Sequence, residues 1–158
     1  MKFGICNEMF QDWKIEDVFS YAKEVGYDGV EVAPFTLADS VELITPEQRQ
    51  GLKRSAAEAD VEIVGTHWLL VSPEGLHITT PDDEIRSSTC DYFHALINYT
   101  ADIGGTSMIL GSPKQRSVME GVSYEQAWSN ARAMFTDLAV TAENRAVTLC
   151  IEPLAPVE

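Results

Sequence analysis

The chain is poor in the residues from which several common functional sites are built. Its three cysteines, Cys6, Cys90 and Cys150, are odd in number, far apart and outside any CxxC spacing. They read as reduced thiols rather than as a disulfide framework or a zinc cage. Basic residues are scarce: 11 Lys and Arg stand against 25 Asp and Glu, a formal net charge of −14. A field of that sign repels polyanions, so nucleic acid is not an expected partner, and the acidity reads as a solvated surface. No apolar run approaches the ~20 residues of a membrane span, and no cationic leader precedes a hydrophobic stretch. A cytoplasmic protein without a membrane partner is the expectation. After the first apolar run, Gly4-Ile5-Cys6-Asn7-Glu8-Met9 does not make GxGxxG, and GxxxxGK[ST] is absent, which argues against dinucleotide and P-loop sites. Low-complexity segments and dividing linkers are also missing, so residues 1–158 read as one domain.

What is present is a regular alternation of strands and helices in 158 residues of 45% apolar content. Residues 2–7 form a first strand, and Ile15, Val18, Phe19, Ala22 and Val25 then recur at helical spacing up to Gly26. Residues 29–33 are a second strand. Thr45-Pro46-Glu47-Gln48 combines a capping box with proline at the first helical position and opens a helix to about Ala59. Residues 61–67 are strand three. A longer helix carries Ile85, Tyr92, Phe93, Leu96 and Ile103 before Gly104-Gly105, and residues 107–111 are strand four. Ser123-Tyr124-Glu125-Gln126 is a second capping box, opening a helix with Ala127, Ala131, Phe135, Leu138 and Ala142 on one face. A fifth strand ends in Leu149-Cys150-Ile151-Glu152-Pro153.

Five strands with four intervening helices in one series imply a parallel sheet with right-handed crossovers. Five units in 158 residues is roughly 32 per unit, and eight such units give about 250 residues, the usual size of a (β/α)8 barrel. The strands end in polar residues, Asn7, Glu31, His67, Ser112 and Glu152, at the end where barrel enzymes place their chemistry. Alternation along the last strand puts Cys150 and Thr148 on the face of Glu152, with Leu149 and Ile151 opposite. The fold expected is therefore α/β, of the TIM (β/α)8-barrel type. Only about five of eight units are present, an open partial barrel that stops after its fifth strand, with exposed edges that favour self-association into a homo-oligomer.

Four segments together carry a resemblance: Gly26-Tyr27-Asp28-Gly29-Val30-Glu31, Gly65-Thr66-His67-Trp68, Gly111-Ser112-Pro113-Lys114-Gln115-Arg116 and Ile151-Glu152-Pro153-Leu154. In order and spacing they resemble the xylose-isomerase-like barrel superfamily, in its sugar phosphate isomerase/epimerase branch. That resemblance implies one divalent metal (Mn, Mg, Co or Zn), held in part by a glutamate at the end of strand five. It also implies proton transfer through an enediolate and a sugar or sugar phosphate as substrate. Glu152 is the counterpart of that ligand and would share in proton transfer, while Glu158 would hold a substrate hydroxyl. By the same resemblance His67 would hydrogen-bond substrate, Trp68 would wall a sugar face, and Lys114 and Arg116 would meet an anionic group.

Other readings stand beside these. Glu31 is either a substrate contact or a mouth carboxylate paired with a cation, His67 either a substrate contact or a packed, hydrogen-bonded histidine, and Asn7 is a further candidate for substrate contact. Glu152 reads equally as a solvated strand-end carboxylate, Trp68 as a core aromatic, Lys114 and Arg116 as loop cations. His77 and His94 read as structural. The remaining metal ligands of the superfamily lie past residue 158, so this chain is expected to be inactive and to bind little or no metal by itself. A non-catalytic, association-prone barrel piece is the alternative function. A metal-dependent endonuclease of the same superfamily fits less well, with three histidines and a charge of −14.

Overall fold

Polar residues and glycines bound the short strands of this chain, and side-chain caps at Thr45, Asp82 and Ser123 open three of the four helices between them. The structure, a computed structural model, describes residues 1–155. Five strands, β1 (Gly4–Cys6), β2 (Gly29–Val32), β3 (Glu62–His67), β4 (Ser107–Leu110) and β5 (Thr148–Ile151), pair in parallel in the order of the sequence. Between them run α1 (Ile15–Glu24), α2 (Pro46–Glu58), α3 (Asp83–Asp102) and α4 (Tyr124–Asn144). Right-handed crossovers between sequential parallel neighbours place every helix on the same side of the sheet. Accordingly α1 packs on α2, α2 on α3 and α3 on α4. This is the expected open arc, with helices on its outer face. β1 and β5 each pair on one side only among the described residues.

The caps show which sequence signals act as read. At α2 the box is complete: Thr45 Oγ1 accepts from the Gln48 N–H at 3.3 Å and Gln48 Oε1 accepts from the Thr45 N–H at 2.8 Å. At α4 only half of the expected box forms. Ser123 Oγ accepts from the Gln126 N–H, but the Gln126 amide donates to Asn130 Oδ1 at 2.8 Å instead of turning back. The reason lies in Asn130, a buried side chain whose amide donates to the carbonyls of Thr79 and Thr80 and needs its oxygen satisfied too. The buried face of α4 is correspondingly Ala127, Asn130, Met134, Leu138 and Ala142. Ala131 and Phe135, expected inside, sit at its half-buried margin, where they line a cavity with Trp128 and Ile151. That flank has no further helix against it among the described residues.

The core lies between sheet and helices. Val30, Val32, Ile63, Met108 and Leu110 from the strands meet Phe19, Phe93, Leu96, Ile97 and Leu138 from the helices. Alternation is interrupted once. Val30 pairs with Ile63 but Glu31 pairs with Gly65, so Val64 is an extra, unpaired residue, a β-bulge. Ile63 and Thr66, three residues apart, both face the helices, and Thr66 Oγ1 meets Thr100 Oγ1 of α3 at 2.8 Å. The bulge hands the next position, His67, to the inner face.

The bulge is bounded by a glycine for a steric reason. A Cβ on Gly65 would collide with the Ser107 carbonyl of β4, and Gly105 comes so near that its own Cβ would lie 2.9 Å from the Gly65 Cα. Backbone, not a yielding side chain, is the obstacle. Gly65→Ala is therefore expected to destabilise the chain by about 3 kcal/mol or more, since β3 and β4 must part to admit one methyl group. Denaturant unfolding measures this, and a loss under about 1 kcal/mol would contradict the close approach.

Candidate functional site

The C-terminal ends of the strands bring a set of polar side chains together on the inner face of the arc. Cys6 ends β1 in register with Glu31 of β2, and the bulge sets His67 of β3 on the same face. From β5, alternation carries Glu152 there also, as expected from the sequence. The imidazole of His67 is the junction: Nδ1 lies 2.9 Å from Glu31 Oε2 and Nε2 lies 3.4 Å from Glu152 Oε2. Glu31, His67 and Glu152 thus form one line across four strands, with side-chain exposures of 26%, 19% and 39%.

β4 lies between His67 and Glu152, yet contributes no side chain to the line. Its next residue is Gly111, where a Cβ would strike Glu152 Oε2 and stand 3.7 Å from His67 Nε2. The missing side chain is the space in which the carboxylate of β5 reaches across β4 to the histidine of β3. Neighbouring strands sit about 4.8 Å apart, so contact at two strands' distance needs both that space and the curvature of the arc.

Electrostatics follow from the neighbours. The Cys6 sulfur and, after it, the Glu31 carboxylate push the His67 imidazole from its ordinary 6.5 up to about 10, against the opposing cost of burial. His67 is consequently an imidazolium at neutral pH, with both ring N–H groups donating to carboxylates. It is a fixed cation and not a base. Trp68, at a positive φ of 55°, turns back so that its ring stacks on His67 with 6.2 Å between centroids.

The other expected site residues take varied positions. Asn7 stands at the same end but is fastened into the fold: Oδ1 accepts from the Ala33 N–H at 2.6 Å and Nδ2 donates to Thr36 Oγ1 at 2.8 Å. Its amide ties the end of β1 to the turn after β2. Arg116 donates to the Glu152 carbonyl at 2.6 Å, so it braces the backbone of the glutamate. Lys114 is exposed in a 3-10 turn (Pro113–Gln115) beside the mouth. Glu158 lies outside the described residues. His77, whose Nδ1 accepts from the Thr79 N–H at 3.3 Å, sits in the loop from Trp68 to Asp82 away from this line, and burial lowers its pKa. Ser112 holds that loop over β4, its hydroxyl accepting from the Leu70 N–H. Cys6 and Gly111 were not singled out in the sequence. Cys6 carried a signal, since it shares strand parity with Gly4 one step from the tip. Gly111 carried none, because what it accommodates is fixed only in three dimensions.

The sequence profile of the xylose isomerase-like TIM barrel family matches residues 19–158. Among solved structures, a D-psicose 3-epimerase determined in the presence of D-fructose superposes with a TM-score of 0.81 at 15% identity, over 99% of this chain and 53% of that one. The apo 3-keto-D-glucoside 4-epimerase of E. coli gives 0.74 at 18% identity, over 98% of this chain and 56% of that one. An L-ribulose 3-epimerase gives 0.78 at 18% identity, over 98% and 50%. This chain therefore spans about half the length of the structures it matches. No curated protein matches it by sequence.

The raised pKa of His67 has a measurable sign. A group whose folded pKa exceeds its unfolded value stabilises fully below the unfolded value, here near 6.5, and loses that contribution as pH rises through about 10. NMR titration should find the His67 ring protonated at pH 7, with its midpoint far into the alkaline range and lowered in Glu31→Gln. His67→Ala should flatten the alkaline part of the stability profile. A ring titrating near 6.5 would refute the arrangement. Gly111→Ala should leave the fold intact, because the obstructing atom is the end of a flexible side chain, and should separate Glu152 from His67 while leaving that midpoint in the alkaline range, since Cys6 and Glu31 hold it there.

Proposed function

The chain belongs to the xylose isomerase-like TIM barrel family, and on that premise we propose that its mouth is the proton-transfer half of a sugar isomerase or epimerase. The observation that carries this is the line Glu31–His67–Glu152 at the ends of parallel strands. Isomerising a sugar, or inverting a centre beside its carbonyl, begins with removal of a proton from the carbon next to the carbonyl. The electron pair moves to the carbonyl oxygen and an enediolate forms. Glu152 is the acceptor: it is the most exposed member of the line, and its carboxylate is aimed by His67 Nε2 and by its backbone tie to Arg116. In isomerisation the protonated carboxyl then delivers the proton to the neighbouring carbon, whereas inversion of a centre needs a second acid on the opposite face of the enediolate. His67 keeps its own proton throughout and acts as a positioning group, with Glu31 holding its far nitrogen. Trp68 walls the pocket against the apolar face of a sugar ring. Asn7 is assigned here to the scaffold, and Glu158 to a substrate hydroxyl.

The described mouth does not by itself fit the divalent metal that the family implies. Both nitrogens of His67 are engaged by carboxylates, so the ring presents no free nitrogen toward the open mouth. Glu31 and Glu152 lie at opposite edges of that ring. Glu152 would be one ligand of a manganese, magnesium, cobalt or zinc ion whose other ligands lie outside the described residues. When bound, such an ion would stabilise the enediolate oxygen as a Lewis acid. The supporting argument for a sugar substrate is the likeness of the fold to sugar epimerases, together with an acidic, nucleic-acid-repelling surface.

A second reading is favoured by the exposed apolar flanks at the two edges, where Phe3 and Ile151 are 58% and 61% exposed. In that reading the 158 residues associate with one another and do no chemistry. Sedimentation of the chain separates the two: a monomer at micromolar concentration is incompatible with obligate association.

The isomerase reading is tested with a panel of neutral and phosphorylated sugars, with and without divalent metal, on a barrel completed through its remaining strands. Glu152→Gln should lower kcat by roughly 10³-fold or more, as expected for loss of the proton acceptor. His67→Ala should cost roughly 10²-fold, the effect of losing a positioning hydrogen bond. Lys114→Ala should raise KM for phosphorylated sugars alone, whereas Arg116→Ala should reduce kcat for both kinds because it braces Glu152. Undiminished turnover by Glu152→Gln would end this reading.

A further inference from the structure

On the helical side of the sheet, away from the mouth, three potential metal ligands converge without any part in the chemistry above. Cys90 and His94 lie one turn apart on α3, and Asp137 faces them from α4. The i, i+4 spacing brings the first two to one helix face, as in helical metal-binding pairs. Cys90 Sγ is 3.9 Å from His94 Nε2 and 3.3 Å from Asp137 Oδ2, and His94 Nε2 is 3.4 Å from that same oxygen.

The sizes of this triangle are informative. Zinc bonds of about 2.3 Å to sulfur and about 2.0–2.2 Å to nitrogen and oxygen, set at tetrahedral angles, separate ligand atoms by about 3.3–3.6 Å. Matched pair by pair, the imidazole–carboxylate side at 3.4 Å fits, the sulfur–carboxylate side at 3.3 Å is about 0.3 Å short and the sulfur–imidazole side at 3.9 Å is about 0.3 Å long. An ion fits with small side-chain rotations and no backbone movement. The triangle is partly open to solvent, with Asp137 68% and His94 30% exposed, which leaves an entry path and a fourth position for water. Phe93 and Phe135 meet edge to face at 6.3 Å beside it and fix the spacing of the two helices.

We propose that Cys90, His94 and Asp137 form a three-ligand site for a thiolate-accepting divalent transition metal, zinc foremost, which clamps α3 to α4. Binding replaces the Cys90 S–H bond by a metal–sulfur bond, and the proton leaves to solvent. Without metal, burial and then Asp137 push the thiol up to about 11, so it stays protonated at neutral pH and donates to Asp137. The metal replaces a hydrogen-bonded triangle whose sides differ from those of a bound zinc by about 0.3 Å at most. Soft sulfur beside imidazole and carboxylate selects zinc or cobalt over magnesium or calcium.

The test uses cobalt(II) as the spectroscopic probe on the reduced, purified chain. One equivalent should produce a near-ultraviolet sulfur-to-cobalt charge-transfer band with visible bands of tetrahedral intensity, both abolished by excess zinc. Cys90→Ser should lose the near-ultraviolet band, while Cys6→Ser and Cys150→Ser keep it, which separates this site from the thiol at the mouth. Asp137→Asn changes an exposed side chain that cannot disturb the core, and should weaken cobalt binding at least ~10-fold. Zinc should raise the unfolding midpoint of the unsubstituted chain and not that of Cys90→Ser. Glu152→Gln should leave all of this unchanged. Absence of the charge-transfer band, its survival in Cys90→Ser, or unaltered affinity in Asp137→Asn would overturn the proposal.

Discussion

His67 reaches the mouth because β3 carries one residue more than its partner strand can match. In an uninterrupted strand, the parity that sends Ile63 into the core would send His67 there too. Val64 absorbs the extra step and Gly65 lets the backbone close up against Ser107. The same step turns Thr66 toward Thr100, whose hydroxyl in turn donates to the Leu96 carbonyl, so the polar group forced inward is satisfied. The junction of Glu31 and Glu152, the protonated state of the ring and the stacking of Trp68 all rest on this register shift.

Much of the fold was legible because the signals were local. The strand tips, the box at Thr45 and the glycines that end helices each act within a few residues, and with the strands in sequential order the chirality of the crossovers puts every helix on one side of the sheet. What escaped required knowing which surfaces meet. The α4 face is displaced from Ala131 and Phe135 toward Asn130 and Met134, because the loop carbonyls of Thr79 and Thr80 need a donor and the outer flank lacks a neighbour. Gln126 leaves its cap for the same reason. Neither constraint is written in the periodicity of α4.

At the site the split is similar. Alternation within β5 suffices to place Glu152, and it does so correctly because no bulge interrupts that strand. Alternation within β3 would have misplaced His67. Asn7 and Arg116 have the polar character of ligand contacts, but the partners that occupy them, Ala33, Thr36 and the Glu152 carbonyl, come from other strands and loops. Residue type announced a polar mouth, while the division between scaffold and chemistry depended on tertiary hydrogen bonds.

A single imidazolium held between two carboxylates gives the mouth one surplus negative charge, set in a chain whose formal charge is already −14. Diffusional encounter inherits that sign. An uncharged polyol approaches at a rate indifferent to ionic strength, because there is no long-range force to screen. An anionic sugar is slowed in dilute buffer and gains speed as salt is added, with Lys114 as a local exception at the rim. The ring proton of His67 therefore contributes twice, once in aiming Glu152 and once in keeping the entrance from being more repulsive than it is.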